Sequence, residues 1–365
     1  MHLFLLQICL GIGAAMAADS DFIMPDEGLP HARTIMAWPG SNNPNYQEDG
    51  SLAEMKNELT AIAQAIADFE PVTLLVGSDQ VYDAQRRFQN CSHYGVEIKA
   101  MNIDDLEPWM RDIAPTFVFS KESPSSLHGI DFNFNGWGGR YPSINNSQLA
   151  RQFLNDHQIP RVTTSVVVEG GALETDGEGT VIATESSILN PNRNPDMGRE
   201  AIEKEIYRLW GVSKIIWVPG VRDEDITDAH IDSLARFVAP GKVVLSRPTP
   251  DNKEWITVYN EIKHILSEAT DAKDRAFNIV DLPEADINDV NTTETDMVLG
   301  YVNYLLVNGA IIAPRFGSGK SDAKAKDILQ TLFPEREVVQ VYLNEIAVNG
   351  GGIHCMTQQI PSSNL

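Results

Sequence analysis

Cys355 follows three glycines in the segment Gly350-Gly351-Gly352-Ile353-His354-Cys355. Glycine lets a backbone bend sharply and a ligand approach closely, so a thiol placed here can be displayed as a nucleophile. The other reading of a lone cysteine is a small hydrophobe buried on a C-terminal strand. Three further stretches carry polar groups that packing does not call for. In Glu107-Pro108-Trp109-Met110-Arg111-Asp112, an Arg and an Asp adjoin at the entrance of an expected strand. Their side chains would point to opposite faces, and one of them is expected to face a cavity. Val166-Val167-Val168-Glu169-Gly170-Gly171 ends a β-branched run in a carboxylate, which must be paired or functional if it is buried. If Ile226-Thr227-Asp228-Ala229-His230-Ile231-Asp232 is extended, His230 and Asp232 share a face and Asp228 joins them nearer the loop.

A histidine and a carboxylate on one face form an acid–base unit. His354 would point away from Cys355 on a strand, so His230 is the better base for the thiol. No CxxC or HExxH spacing is present and the other histidines are scattered, so no metal is expected. Several carboxylates around a thiol would raise its pKa and blunt it, an arrangement that makes sense only for a cationic substrate. A guanidinium is planar, permanently charged and offers five donors to carboxylates. Held by two of them, its central carbon would face the sulfur. Attack, loss of ammonia through a covalent thiouronium, and hydrolysis would give a ureido product, with histidine protonating the leaving amine and then activating water.

The elements that must position these groups are read from periodicity. Helical spacing over Leu52 to Phe69 precedes an apolar strand, Val72 to Val76, and Gln80 to Asn90 precedes Val96 to Met101. The order recurs: Gln148 to Asp156 before Val162 to Val168, Arg199 to Trp210 before Lys214 to Val218, Glu254 to Ala269 before Phe277 to Asp281, and Ala323 to Phe333 before Val338 to Tyr342. Further strands are expected at Thr116 to Phe119, Gly129 to Phe134, Thr180 to Thr184, Ser233 to Arg247 around a Pro240-Gly241 turn, and Gly309 to Arg315. Five or six β-rich units with one helix each describe an α/β architecture with weak internal repetition.

The 365 residues are 42% hydrophobic and contain no low-complexity run, which describes a globular chain. No Pro/Ser-rich linker divides it, so residues 18–365 are expected to form a single domain. A net charge of −23 with no basic cluster argues against nucleic acid and anionic membranes as partners. The apolar run Leu3 to Ala17, ending Ala15-Met16-Ala17, reads as a signal peptide over residues 1–17 and predicts secretion. It is short for a membrane span. Sequons at Asn90, Asn145 and Asn291 fit that route. Cleavage would remove Cys9 and leave Cys91 and Cys355, so at most one disulfide is available, and pairing those two would extinguish thiol chemistry.

With these residues in hand, the chain resembles the agmatine deiminase and bacterial-type (Porphyromonas-type) peptidylarginine deiminase family of the guanidine-modifying, or pentein, superfamily. The resemblance rests on WMRDIAPTFV (109 to 118), FNGWGG (134 to 139), VEGGALETDGEGTVIATESSILNPNRNP (168 to 195), DAHIDSLARFVAPGKVV (228 to 244) and GGGIHCMTQQIP (350 to 361), in that order. It implies a five-bladed pseudosymmetric α/β propeller and no cofactor. It also implies Cys355 as nucleophile, Glu169 and His230 as the acid–base pair, and Asp112 and Asp232 as the guanidinium clamp. Trp109 would wall the substrate slot, and Asn303 resembles an asparagine near the site in the peptidylarginine branch. The chain has Leu106-Glu107-Pro108 where agmatine deiminases typically place Asn-Asp-Ser, and Pro108 stiffens that loop. Arg140 after GWGG could meet a substrate carboxylate, and its other reading is an ordinary surface arginine. These departures, with secretion, turn the expectation toward deimination of peptidyl or free arginine to citrulline. Agmatine, giving N-carbamoylputrescine, follows close behind. A catalytically silent arginine-binding propeller and an amidinotransferase stay open beside them, as does association into a homo-oligomer.

Overall fold

The computed structural model describes residues 20–48, 50–89, 93–292, 294 and 297–363. The expected signal peptide, Cys9, Cys91 and the sequon at Asn90 lie outside the described residues. The fold is mixed α/β, with five small sheets and the helices that cross between their strands.

Each sheet repeats one order of elements. Thr116–Ser120 pairs antiparallel with Leu127–Asp131, the chain crosses through the helix Ile144–Asp156, and Arg161–Thr163 returns parallel. The same pattern takes in Leu173–Thr175, Thr180–Thr184, the helix Arg199–Trp210 and Lys214–Val218. It recurs in Ala235–Ala239, Lys242–Arg247, the helix Lys253–Glu268 and Asn278–Pro283. A fourth set runs Leu305–Val307, Ala310–Arg315, the helix Gly319–Leu332 and Glu337–Tyr342. The fifth sheet joins distant parts of the chain. Gln358–Pro361 pairs antiparallel with His31–Ala37, which is followed by the helix Ser51–Ala67 and then by Val72–Gly77 in parallel, with Val96–Met101 beyond. Parallel neighbours need a crossover, and the amphipathic helices supply it.

The helices bury one face each. Ser51–Ala67 turns Met55, Leu59, Ile62, Ala63 and Ile66 inward at helical spacing. Arg199–Trp210 buries Ile202, Ile206, Leu209 and Trp210, and stops at Gly211, whose left-handed φ of 67° closes the turn. Asn252 caps the helix Lys253–Glu268 by accepting from the Trp255 amide. Several segments depart from the sequence expectation. Residues 166–168 are not a strand, because Val166 and Val168 pack into the core while Asn194 bonds the backbone of Val167. Residues 110–113 form one helical turn, and 231–233 a 3-10 turn in place of an extended run. Cys355 lies in a turn between the helical turn Glu345–Val348 and the strand Gln358–Pro361.

Leu59 is fully buried where this helix meets the core. Leu59→Ala is expected to cost about 2–5 kcal/mol, seen as a lowered urea midpoint with an unchanged slope.

Candidate active site

The polar residues singled out in the sequence come from equivalent places in the five units, the segment that enters each unit's first strand. Asp112 precedes Thr116–Ser120, Glu169 precedes Leu173–Thr175, and His230 and Asp232 precede Ala235–Ala239. Asn303 precedes Leu305–Val307, and Cys355 precedes Gln358–Pro361.

These segments converge. His230 Nε2 lies 3.2 Å from Glu169 Oε2, and its Nδ1 lies 3.6 Å from Asp112 Oδ1. Asp112 accepts from Trp137 Nε1 at 2.9 Å and from the Gly171 amide at 3.1 Å. Cys355 Sγ sits 3.6 Å from Asp232 Oδ2 and 3.2 Å from Asn303 Nδ2, while Asn303 Oδ1 accepts from the Cys355 amide at 3.2 Å. Glycines permit this crowding. A Cβ on Gly171 would stand 2.7 Å from His230 Nδ1 and 3.0 Å from both Asp112 Oδ1 and Asp232 Oδ2. One on Gly351 would stand 2.2 Å from the Trp109 ring, and one on Gly352 would stand 2.6 Å from Asn303 Oδ1. The glycines flanking Glu169 and Cys355 are therefore packing requirements as much as hinges.

A cavity of about 430 Å³ opens over this cluster, and Trp109, Asp112, Trp137 and Cys355 reach its wall. It is also lined by Tyr46, Glu107, Tyr141, Glu224, Asp225 and Thr227, with no Lys or Arg among the lining residues. His230, Glu169 and Asp232 are buried beneath that wall.

The charges are arranged unevenly. Burial pushes the Cys355 thiol well above its usual value, and the carboxylates of Asp232 and Asp112 push it further. Burial likewise raises Asp112 to about 6, against the pull of His230 and with Glu169 and Asp232 adding to the rise. Burial alone would lower His230, but Asp112 and Glu169 outweigh it and hold the imidazolium up to about 9. Glu169 stays below the ordinary range despite its burial, because His230 and Arg193 both bond it. Asp232 is also held low against burial, chiefly by His354, whose Nδ1 lies 2.7 Å from Oδ2. Asp232 Oδ1 is buried and has no hydrogen-bond partner among the described residues, which leaves one acceptor unspent.

Two expectations need correction and one needs extending. Asp228 does not join His230 and Asp232: a left-handed backbone turn at Asp228 and Ala229 directs its carboxylate away, where it pairs with Arg193 and Arg140. Arg140 is absent from the cavity wall, because its guanidinium is taken up by Asp228 at 2.6 Å and Asp223 at 2.6 Å. His354 does turn from the thiol, yet it enters the cluster through Asp232 and reaches Glu27 Oε2 at 2.8 Å on its other side.

Sequence reasoning also missed four supporting groups. Arg193 holds Glu169 at 2.9 Å, Trp137 holds Asp112, and Glu27 with Arg236 stands behind His354, their ion pair 2.9 Å long. Trp137 and Arg193 lie in segments already notable in the sequence, FNGWGG and NPNRNP, but Glu27 carries no local signal. No group of three or more His, Cys, Asp or Glu side chains that could hold a metal ion is found among the described residues.

With this geometry in view, the relatives define a class: hydrolases that act on carbon–nitrogen bonds of amidines and guanidines. The chain matches the Porphyromonas-type peptidyl-arginine deiminase model over residues 23–361 and belongs to that family. It is 36% identical over 363 residues to the agmatine deiminase of Ectopseudomonas mendocina (strain ymp), covering 93% of this chain and 96% of the relative. The agmatine deiminase of Medicago truncatula is 35% identical over 370 residues, with the same coverage. Among solved structures, the agmatine deiminase of Enterococcus faecalis superposes with a TM-score of 0.84 at 28% identity, over 94% of this chain and 96% of that one.

Gly171→Ala is expected to wedge the His230 ring away from Asp112. Burial would then act with less opposition, so the His230 pKa followed by NMR should fall from about 9.

Proposed function

We propose that this chain is a guanidine deiminase whose substrate is agmatine. The observation that carries the reading is the charge balance of the cavity: a thiol faces two carboxylates, and no cation lines the wall. A bound guanidinium supplies what is missing. Asp112 and the unspent Oδ1 of Asp232 can grip its nitrogens, which sets the central carbon before Sγ and lowers the thiol pKa at the moment of binding. The thiol releases its proton to solvent, the thiolate attacks that carbon, and His230 gives its proton to the departing nitrogen, so that the C–N bond breaks, ammonia leaves and a thiouronium stays on Cys355. Water then adds to the thiouronium while His230, oriented by Glu169, takes the water's proton; the C–S bond breaks and a ureido product leaves with the thiol restored. Trp109 flanks the slot, and Asn303 holds the nucleophile by both its amide and its sulfur. We read the five sheets as the five blades of an α/β propeller built around this site, with residues 18–365 as one catalytic unit. Export of the chain rests on the sequence signals alone.

The outer wall supports agmatine over arginine. An arginine carboxylate calls for a cation, and Arg140, the candidate for that role, is committed to Asp228 and Asp223. The groups that are present suit an ammonium. Glu107 turns one carboxylate oxygen to Asn43 and Asn45 and leaves the other with a single long contact of 3.4 Å to Tyr46, and Glu224 stands exposed at the rim. The nearness of the agmatine deiminases in sequence and structure supports the same reading.

The test is ammonia and ureido release from agmatine, free arginine, and peptides with internal or C-terminal arginine. Agmatine should dominate, and Cys355→Ala should lose roughly 10⁴-fold or more in turnover. Equal turnover by that variant would sink the covalent route. The pH profile of kcat/KM should be bell-shaped. It rises as Asp112 ionises near pH 6, since the clamp needs the carboxylate, and falls as His230 loses its proton near pH 9, since the leaving amine needs the imidazolium.

A further inference from the structure

Strained backbone gathers at the mouth of the cavity. Among the described residues, seven non-glycine positive φ angles occur, and four of them, at Trp137, Asp223, Asp228 and Ala229, lie in two loops that both reach the wall. Trp137 and Tyr141 come from one loop, and Glu224, Asp225, Ile226 and Thr227 from the other. Such conformations persist only where the surroundings over-determine them, and they cluster at functional sites.

One side chain ties the two loops together. Arg140 meets Asp228 with both arms, Nη1 to Oδ2 at 2.6 Å and Nη2 to Oδ1 at 2.8 Å. Nη2 also donates to Asp223 Oδ1 at 2.6 Å, and Nη1 donates to the Ile226 carbonyl at 2.9 Å and the Trp137 carbonyl at 3.4 Å. Asp228 is buried and accepts as well from Arg193, from Asn192 Nδ2 at 3.2 Å and from the Asp223 amide at 2.9 Å. The clasp is thus a planar fork on a fixed carboxylate, a geometry that an ammonium cannot reproduce.

We propose that Arg140 is a positioning residue for substrate choice: it clasps the 223–228 loop so that this loop's acidic face meets the cationic tail of the substrate. This rests on the agmatine reading and extends it to the loop that selects the tail. Arg140 itself does not line the cavity and touches none of the reacting groups; it bonds the wall only from behind, through the carbonyls of Ile226 and Trp137.

The experiment compares agmatine with n-butylguanidine, which has the same guanidine and four-carbon chain without the ammonium, in wild type, Arg140→Gln and Arg140→Lys. The expected result in both variants is a KM for agmatine raised about tenfold with kcat nearly unchanged, the signature of lost binding alone. The KM for n-butylguanidine should stay put. Parallel losses on both substrates would make Arg140 a support of the fold or of catalysis and overturn the proposal, as would unchanged kinetics. The wild-type arm separates the two readings. No preference for agmatine over n-butylguanidine in wild type overturns the agmatine reading and the clasp with it, whereas a wild-type preference that survives in both variants overturns the clasp alone. Arg140→Lys keeps the positive charge, so it reports on the fork even if Arg140→Gln folds poorly.

Discussion

Negative charge gathered around a half-buried thiol is the constraint on which the rest depends. Asp112, Asp232 and Glu169 approach one another beneath the cavity, and unpaired carboxylates in such a place cost several kcal/mol each. The chain compensates them from behind with His230, Arg193 and, farther back, Arg236 bonded to Glu27 and Glu174, while His354, its pKa held down by burial, hydrogen-bonds Asp232. It does not compensate them in front. On the proposed reading a cation in the cavity completes the charge balance, so selection of the ligand by charge and arming of the nucleophile are the same event.

The architecture makes this crowding feasible. Five segments, each entering the first strand of a repeated unit, bring one or two side chains apiece to a common region. Each approach is short because glycine stands where a side chain would collide, at 171 against His230, at 351 against Trp109 and at 352 against Asn303. Local backbone, packing and chemistry are linked at those positions.

Much of the fold was legible from periodicity. The helix Arg199–Trp210 and the strands Thr180–Thr184, Lys214–Val218 and Val96–Met101 lie where apolar spacing puts them, and the helix and Thr180–Thr184 turn a continuous buried face to the core. The three-residue strands Leu173–Thr175 and Leu305–Val307 gave no such signal, being too short for a period and fixed by their sheet partners. Side-chain types and the family resemblance pointed to Cys355, His230, Glu169, Asp112 and Asp232, and these do lie together. What failed was orientation. Asp228 and His354 were judged on an alternating strand geometry, whereas the chain turns at both places, so their contacts with Arg193 and Asp232 followed from tertiary structure alone.

The pairing of Gln358–Pro361 with His31–Ala37 has a further consequence for how the molecule comes into being. The turn that carries Cys355 is held on one side by a strand whose partner lies more than three hundred residues earlier in the sequence. Contacts of such separation are entropically expensive and form late. During synthesis the first four units can pack while this seam stays open, and the sulfur then has neither its asparagine cradle nor its fixed distance from Asp232. The surroundings of the sulfur therefore depend on a pairing between two distant parts of the described fold.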